Sequence, residues 1–303
     1  MVKRYLLDVI IVSFNTATLL RQALQSVQTE VVENNIKEGT RITVIDNAST
    51  DGTSQMVRKN FPGVSLIVNN KNTGFAKANN QAIRKTSGKY ILLLNSDAIV
   101  GKKAINALIN ELEINSKAGG SGPRLVNFDG GNQPSFGFFP TPWRVLFWML
   151  FIDDIKFISD FFKPYHARHD FFYRRRRTVD WLSGACILVR REAFEKAGLF
   201  DESIFMYGEE VEFFYRMKKS GFEAIFTPNA IVRHKKGGSG RGTESGIVEE
   251  YLFIVHFYRI YFPGLVVPVR FLLKLGALLR MILFAIIGPT KKVSLYAKAF
   301  KVA

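Results

Sequence analysis

The chain has 303 residues and a formal net charge of +16, from 42 Lys and Arg against 26 Asp and Glu. This length supports one large α/β domain or two modest ones, with ample material for a buried core. The charge favours an anionic partner, such as a nucleotide, a lipid diphosphate, a phospholipid surface or a nucleic acid. The single cysteine, Cys186, excludes an intrachain disulfide. No secretory signal precedes the first strand, so we expect the protein to work on the cytosolic side.

Strands and helices alternate through the first hundred residues. The hydrophobic pattern predicts strands at 6–13, 41–45, 64–68 and 90–94, and helices at 17–28, 54–59 and 75–86. Such alternation is typical of an α/β fold with a doubly wound, mostly parallel sheet flanked by helices. Neither a Gly-x-Gly-x-x-Gly turn nor a phosphate-binding loop follows the first strand, which disfavours nicotinamide enzymes and P-loop NTPases.

Polar side chains follow three of these strands where the strands end. They are Ser13 with Asn15, Asp46 with Asn47, and Asn95 with Ser96 and Asp97. Parallel strands place their carboxyl ends at one edge of the sheet, so we expect these groups to converge on a ligand site. Asp97 is well placed to hold a metal ion. The alternative is that Asp97 caps the helix that begins near Lys102.

The composition changes between about residues 127 and 177. Gly, Pro and aromatic residues accumulate there, and the segment ends in the arginine run 174–177. Its apolar part is about ten residues long, short of the roughly 20 that a membrane-spanning helix requires. Two interpretations remain: a membrane-facing segment or lid over an anionic substrate, and an irregular flap packed on the sheet with a solvated arginine run. No nucleic-acid-binding module accompanies it.

A second set of elements follows. We predict a strand within 178–191, a helix at 192–197, a helix opened by Glu209 and Glu210, and a strand at 223–226 before a basic, glycine-rich loop that contains His234. Acids in the first turn complement the helix dipole, but a carboxylate there is also well placed to accept a proton. His234 is either a surface or packing residue or a ligand.

The C-terminal segment 265–288 predicts a long apolar helix. Arg270, Lys274 and Arg280 interrupt it. Charges near the middle of a span are costly, so an amphipathic helix lying in the membrane plane is favoured over a spanning helix. Lys291 and Lys292 would then lie against anionic lipid. The alternative is a buried helix of an ordinary globular fold.

Six segments together resemble glycosyltransferase family 2, most strongly its bacterial rhamnosyltransferase-like branch. They are 12–15, 44–53, 72–80, 94–97, 184–191 and 198–216, in the family's order and approximate spacing, and the likeness covers about residues 5–260. The resemblance implies a GT-A fold and inverting transfer from a nucleoside diphosphate sugar to a saccharide or lipid-linked acceptor in cell-surface polysaccharide synthesis. It also implies Mg²⁺ or Mn²⁺ as cofactor.

The sequence also predicts an arrangement of domains. A catalytic domain would cover 1–240, with a nucleotide-sugar half at about 1–125, an insertion at about 127–177 and an acceptor half at about 178–240. Residues 241–303 would form amphipathic helices that hold the protein at the cytoplasmic face of the membrane as a peripheral protein.

The resemblance assigns roles by position. Glu210 would be the catalytic base, with Glu209 assisting, while Asp97 and His234 would hold the metal. By position, Ser13, Asn15 and Asp46 would contact the base and ribose of the donor nucleotide, and Asp97 would hold the metal on its diphosphate. We predict further donor contacts at Asn79, Asn95 and Ser96, and at Arg241, whose positive charge in the loop after His234 could close over the diphosphate. Two departures from the family pattern matter: Asn95 replaces the first acid of Asp-x-Asp, and Glu210 replaces the usual Asp.

Other functions remain open on the sequence. Within the family, the donor sugar could instead be galactofuranose, glucose or N-acetylglucosamine. A sugar nucleotidyltransferase should carry a glycine- and lysine-rich loop after its first strand, where Phe14, Asn15 and Thr16 stand instead. A non-catalytic scaffold with the same fold is a third alternative, and a processive synthase is disfavoured because no Gln-x-x-Arg-Trp signature is present.

Overall fold

The computed structural model describes residues 6–155, 159, 161–235, 237–238 and 243–303. Contacts divide the chain into two units. Unit 1 comprises Met1–Phe136 and Tyr173–Gly240, and unit 2 comprises Gly137–Phe172 and Arg241–Ala303. Most of the predicted insertion therefore belongs to the same unit as the C-terminal helices.

The described secondary structure is as follows. The strands are β1 Leu7–Ser13, β2 Thr40–Asp46, β3 Ser65–Val68, β4 Tyr90–Asn95, β5 Ala98–Val100, β6 Ala118–Val126, β7 Asn132–Gln133, β8 Phe136–Gly137, β9 Arg177–Val179, β10 Trp181–Leu182, β11 Cys186–Arg190 and β12 Glu223–His234. The helices are α1 Ala17–Glu33, α2 Thr53–Asn60, α3 Phe75–Ile83, α4 Ala104–Ile114, α5 Pro142–Met149, α6 Arg191–Ala197, α7 Glu209–Lys219, α8 Thr243–Tyr261, α9 Val266–Ile287 and α10 Thr290–Val302.

The main sheet of unit 1 has the strand order β3-β2-β1-β4-β11-β6-β12-β5. Strands β1, β2, β3, β4, β6 and β12 run in one direction, and β11 and β5 run in the other. Short strands β7 and β9 pair with β6 and β12. The predicted α/β fold with a mainly parallel sheet is confirmed.

The antiparallel direction of β11 differs from the simple alternation. A parallel neighbour requires a crossover that returns the chain to the starting edge of the sheet. The chain instead enters β11 at the edge where β4 ends, since Asn95 N donates to Ala185 O at 3.0 Å. It therefore runs back along β4, pairing Cys186 with Leu94 and Arg190 with Tyr90.

The core explains why the central strands are apolar. Strands β1 and β4 are buried almost throughout, and helices α1 and α4 cover one face with Leu24, Val27 and Leu108. Removing each such side chain from water contributes about 1.5–3 kcal/mol before the entropy cost is subtracted. Continuous apolar strands are therefore expected in a sheet with helices on its faces.

The prediction missed strands β5, β6 and β7 of the sheet and made β12 too short. Strand β6 contains three glycines and a proline, which the sequence pattern does not assign to a strand. A Cβ at Gly120 would lie only 2.9 Å from the Phe214 ring, so glycine there permits an aromatic side chain to pack on the sheet. Strand β12 continues to His234, so the prediction that His234 lies in a flexible loop is wrong.

The arginine run before β9 is partly tied to unit 1. Arg177 begins β9, and Arg176 Nε donates to Glu111 Oε2 at 2.6 Å. These two arginines are structural residues of the sheet unit.

Unit 2 is helical, and a buried arginine joins two of its helices. Arg280 of α9 is 5% exposed and donates to the main-chain oxygens of Trp148 at 2.6 Å and Met149 at 2.9 Å. It therefore satisfies carbonyls at the C-terminus of α5 that have no partner within the helix. Among the described residues, no helix combines the length and the apolar character needed to cross a membrane.

Candidate active site

The polar ends of three strands meet at one edge of the sheet. In the parallel ladders, Ser13 pairs with Asp46, and Val12 pairs with Asn95. The side chains that follow these strands therefore lie on one rim, as the sequence pattern predicts.

Buried hydroxyl groups connect two of these strand ends. Ser13 Oγ lies 2.8 Å from Thr16 Oγ1, which donates to Ser96 Oγ at 2.8 Å. All three side chains are buried. Thr16 thus links Ser13 and Ser96 beneath the surface of the rim. The sequence pattern did not predict this role of Thr16. The predicted contact of Ser13 and Ser96 with a donor nucleotide stays a prediction.

The loop after β2 is fastened by side chains of the predicted donor site. Asn15 adopts a left-handed backbone (φ 53°), and its Oδ1 accepts from Thr50 N at 2.8 Å. The buried carboxylate of Asp46 accepts from Ser49 N at 2.9 Å. Asn15 remains exposed at the rim. These contacts hold the loop after β2 in place.

Asp51 links this loop to the start of α1. Its Oδ2 accepts from Ala17 N at 2.8 Å, and its Oδ1 accepts from Thr53 N at 3.1 Å. Burial acts to raise the pKa of Asp51, but the hydrogen bonds from Ala17 and Thr53 outweigh it and hold the pKa below its usual value.

Two buried asparagines hold the next loops in place. Asn47 accepts from Thr73 N at 3.1 Å and donates to Asn72 Oδ1 at 2.9 Å. Asn80 pairs with both main-chain groups of Phe200, donating to its oxygen at 2.9 Å and accepting from its nitrogen at 3.1 Å. Asn79, the predicted donor ligand, is buried and donates to Phe75 O at 3.0 Å, and its donor contact stays a prediction.

The segment before α7 folds back onto the start of α3. Phe75 N donates to Phe205 O at 2.9 Å. Gly74 has a positive φ of 83°, and a Cβ there would collide with Phe205 O. Glycine is therefore required at this contact, which brings the chain around to Gly208 and the first turn of α7.

Glu210 lies in that first turn and faces the entry to β11. Its Oε2 accepts from Gly208 N at 3.1 Å. On its other side, a Cβ at Gly184 would lie 3.8 Å from Oε1. The next residue, Ala185, accepts the hydrogen bond from Asn95 N. The turn formed by Gly184 and Ala185 thus lies next to Glu210 on one side and next to the end of β4 on the other.

Glu209 is a buried carboxylic acid beside Glu210. Its side chain is 4% exposed, and Oε2 has no hydrogen-bond partner among the described residues. Burial, with the neighbouring carboxylate of Glu210 as a second cause, holds the pKa of Glu209 well above its usual value. Glu209 is therefore neutral when an ordinary glutamate has ionised.

Asp97 and His234 meet at the end of β4. His234 Nε2 lies 3.2 Å from Asp97 Oδ1 and 3.4 Å from Asn95 Nδ2. Asp97 is 3% exposed, and its Oδ1 receives no hydrogen bond from the described residues. The predicted ligand pair is therefore brought together.

The alternative role of Asp97 as a helix cap is wrong. The first amides of α4 are bound by the buried carboxylate of Glu30, which accepts from Lys103 N at 2.7 Å and from Ile105 N at 3.4 Å. Asp97 instead accepts from Lys235 N at 3.0 Å through its main-chain oxygen, which leaves its side chain to the site.

The donor set at Asp97 fits a partly coordinated divalent cation. A carboxylate oxygen with no hydrogen bond and an imidazole nitrogen are both metal ligands. Within the described ranges, no group of three or more His, Cys, Asp and Glu residues is arranged to hold a metal. Two protein ligands suit a cation that takes its remaining ligands from substrate phosphates and water. Arg241, the predicted donor contact, lies outside the described residues.

The fold is of GT-A type. A solved mannosyltransferase from Pyrobaculum calidifontis, PcManGT in complex with GDP-Man and Mn²⁺, superposes with a TM-score of 0.59 at 17% identity. The match covers 100% of this chain and 81% of that one. At this identity the likeness concerns the fold.

The chain belongs to glycosyltransferase family 2, because the model described as "Glycosyl transferase family 2" matches residues 8–198. An N-acetylglucosaminyl-diphospho-decaprenol L-rhamnosyltransferase of Mycobacterium tuberculosis is 30% identical over 227 residues, covering 69% of this chain and 71% of that relative. The low-salt glycan biosynthesis hexosyltransferase Agl10 of Haloferax volcanii is 27% identical over 183 residues, covering 58% and 52%.

Proposed function

We propose that this glycosyltransferase is an inverting, metal-dependent enzyme that transfers a sugar, rhamnose first among the candidates, from a nucleoside diphosphate to a lipid-linked saccharide acceptor. One observation carries the proposal: the turn at Gly184 and Ala185 adjoins both Glu210 and Asn95. The Asp97–His234 pair lies at the same end of β4 as Asn95. This arrangement supports a base and a diphosphate site that face one cleft.

The chemistry divides between two parts of the site. Glu210 takes the proton from an acceptor hydroxyl, whose oxygen then attacks the anomeric carbon of the donor. The bond from that carbon to the diphosphate breaks, and the nucleoside diphosphate leaves with the bonding electrons. A single displacement of this kind inverts the configuration at the anomeric carbon. No covalent bond to the protein forms.

The leaving diphosphate is stabilised at the end of β4. Asp97 and His234 would hold Mg²⁺ or Mn²⁺, whose positive charge would lower the energy of the leaving group. Asn95 contributes a neutral amide where a second carboxylate would repel the phosphates. The Mn²⁺ in the mannosyltransferase complex of the same fold supports this part of the proposal.

The choice of donor and acceptor rests on the relatives. The mycobacterial relative is named for an L-rhamnosyl transfer and a diphospho-decaprenol acceptor. A hexosyltransferase is also similar at 27% identity, so glucose, galactofuranose and N-acetylglucosamine donors belong in the same test. A panel of nucleoside diphosphate sugars, assayed by donor binding and by release of nucleoside diphosphate, identifies the donor.

We also propose that unit 2 holds the protein peripherally on the cytoplasmic face of a membrane. The exposed side of α9 is apolar over its whole length, with Val267, Phe271, Leu278, Ile282 and Ile286 on one stripe. Lys291 and Lys292 follow it and are exposed. An apolar stripe with adjacent lysines fits an anionic lipid surface, where a lipid-linked acceptor would also reside.

Replacing Glu210 by Gln tests the catalytic part of the proposal. We expect transfer to fall by about 10²- to 10⁴-fold, because the proton acceptor is lost, while the donor still binds. Glu192→Gln, an exposed acid on α6, is the matched control and should leave transfer unchanged. Unchanged turnover in Glu210→Gln would remove Glu210 as the base.

A further inference from the structure

Gln133 contacts His234 at both ends of its side-chain amide. Its Nε2 donates to the main-chain oxygen of His234 at 2.7 Å, and its Oε1 lies 2.9 Å from the ring Nδ1. The same Nε2 donates to Asn127 Oδ1 at 2.6 Å. Gln133 is 6% exposed, so its amide lies in the interior against this histidine.

The hydrogen-bond network determines which atoms face each other. A main-chain oxygen can only accept, so the NH₂ group of Gln133 must face His234 O, and Oε1 must face the ring. Oε1 also can only accept, so Nδ1 carries a proton. In the neutral ring, the Nε2 lone pair is then directed to the side of Asp97 Oδ1, 3.2 Å away.

Both residues are held by strands. Gln133 lies on β7, where it pairs with Leu125 of β6, and His234 is the last residue of β12, which also pairs with β6. Side chains on strands are held in position more precisely than side chains on loops. The sheet therefore fixes the Gln133–His234 contact in the same framework that fixes Asp97.

We propose that Gln133 is a positioning residue that holds His234 in the Nδ1–H tautomer, so that Nε2 and Asp97 Oδ1 together present electron pairs to a divalent cation. The proposal rests on the proposed function for the role of that cation at a donor diphosphate. Metal-binding histidines commonly donate their second ring N–H to such an acceptor, and losing the acceptor costs about 10- to 100-fold in metal affinity.

The tautomer is measured directly on the full-length protein. The sequence has four histidines, so ring nitrogen signals of ¹⁵N-histidine-labelled protein can be assigned, and His234→Gln identifies the signal of interest. Gln133→Met removes the acceptor with little change in shape, and we expect the His234 ring to lose its Nδ1–H preference. Gln133→Glu keeps an acceptor oxygen toward Nδ1 but loses the donor to His234 O, so a ring that keeps its Nδ1–H in this variant depends on the acceptor alone.

Two further measurements separate positioning from general support. Asn127→Ala removes a partner of the Gln133 amide without touching the acceptor oxygen, so the His234 signal should stay as in the wild type. Titration with Mn²⁺ alone should broaden the wild-type His234 signal before those of the other histidines. Gln133→Met should require about 10- to 100-fold more Mn²⁺.

The outcomes distinguish this proposal from the proposed function, because neither measurement uses a sugar nucleotide. A shifted tautomer with weakened Mn²⁺ binding supports the role of Gln133 even if no sugar is transferred. An unchanged His234 signal in Gln133→Met overturns it, even if the enzyme is fully active. Unchanged Mn²⁺ broadening in that variant also overturns it, because His234 would then not be a ligand that Gln133 positions.

Discussion

Two buried carboxylates of the candidate site have different surroundings. Asp97 faces the imidazole of His234, whereas Glu209 has Glu210 as its charged neighbour. A buried charge without a partner is costly, and a protein avoids that cost by pairing the charge or by protonating the group. Glu209 follows the second course, as the direction of its pKa indicates. Asp97 Oδ1 lies 3.2 Å from His234 Nε2, where the two atoms can share a cation.

The buried acid Glu209 should make the free energy of unfolding depend on pH. When pH rises above the ordinary glutamate pKa, the unfolded chain ionises first, because the folded pKa is raised. The folded state therefore loses stability up to the folded pKa, by about 1.4 kcal/mol for each unit of separation. Glu209→Gln should remove this slope, giving a variant whose stability relative to wild type increases as the pH rises above the ordinary glutamate pKa.

Urea unfolding at a series of pH values measures this effect, with Glu33→Gln as the exposed control. Because the Glu33 side chain lies in solvent, its substitution should leave the slope of the wild type. A Glu209→Gln variant that keeps the wild-type slope would show that Glu209 is ionised in the folded protein.

At the scale of elements, the active-site rim is held together by contacts between loops. Asn47 fastens the loop before α3, and Asn80 fastens the segment that leads to α7. Phe75 N and Phe205 O complete the connection between these two loops. The position of Glu210 therefore depends on hydrogen bonds made far from the carboxylate itself.

Asn80→Ala tests this dependence. The substitution leaves the main-chain N–H and C=O of Phe200 buried without their partner, at a cost of about 1–3 kcal/mol for each group. We expect a loss of about 2–4 kcal/mol in the free energy of unfolding. Urea unfolding measures it, and Asn106→Ala, which removes a half-buried contact with Asn34, should cost less than half as much. Equal losses would contradict the argument.

Short hydrophobic patterns in the sequence were sufficient to predict strands β1 to β4. Strands β1 to β4 and their polar ends follow from apolar runs that stop at Ser13, Asp46 and Asn95, and parallel pairing brings these ends together. Contacts between distant residues were not predictable in this way. Gln133 lies 101 residues from His234, and Asn80 lies 120 residues from Phe200. No periodicity relates such pairs.

Glycines explain why strand β6 was not predicted. In β6 they remove the apolar pattern that identifies a strand, because the neighbouring aromatic rings, such as that of Phe214, supply the packing instead. The length of β12 was underestimated for a related reason. Its pairing with β6 shifts register between Thr227 and Ile231, which interrupts the alternation of side chains.

At the scale of the whole molecule, the proposed sugar transfer and the proposed membrane attachment belong to different units. All the described predicted site residues belong to unit 1, whereas the apolar stripe on α9 belongs to unit 2. The buried side of α9 includes Leu273 and Ala277 as well as Arg280. Substitutions on the exposed stripe should therefore affect membrane binding without disturbing the helical unit.

Charged substitutions on that stripe test the attachment. We expect Phe271→Asp combined with Ile282→Asp to reduce co-sedimentation with vesicles that contain anionic lipid by about tenfold or more, since two apolar contacts are lost and negative charge is added. Ile114→Asp is the matched control, because Ile114 is an exposed isoleucine of unit 1. Vesicle binding that survives the double substitution would place the attachment elsewhere.

The position of β11 between β4 and β6 constrains the order in which the enzyme can be built during translation. Strands β4 and β6 leave the ribosome well before residues 186–190, and until then each has an unpaired edge. Unpaired strand edges invite association with other chains. The segment up to β6 therefore cannot complete the sheet as a separate module, and β11, which pairs with both β4 and β6, directly follows the turn that faces Glu210. The sheet is complete only after β12, Glu223–His234, has also been synthesised, and Glu210 has left the ribosome by then as well.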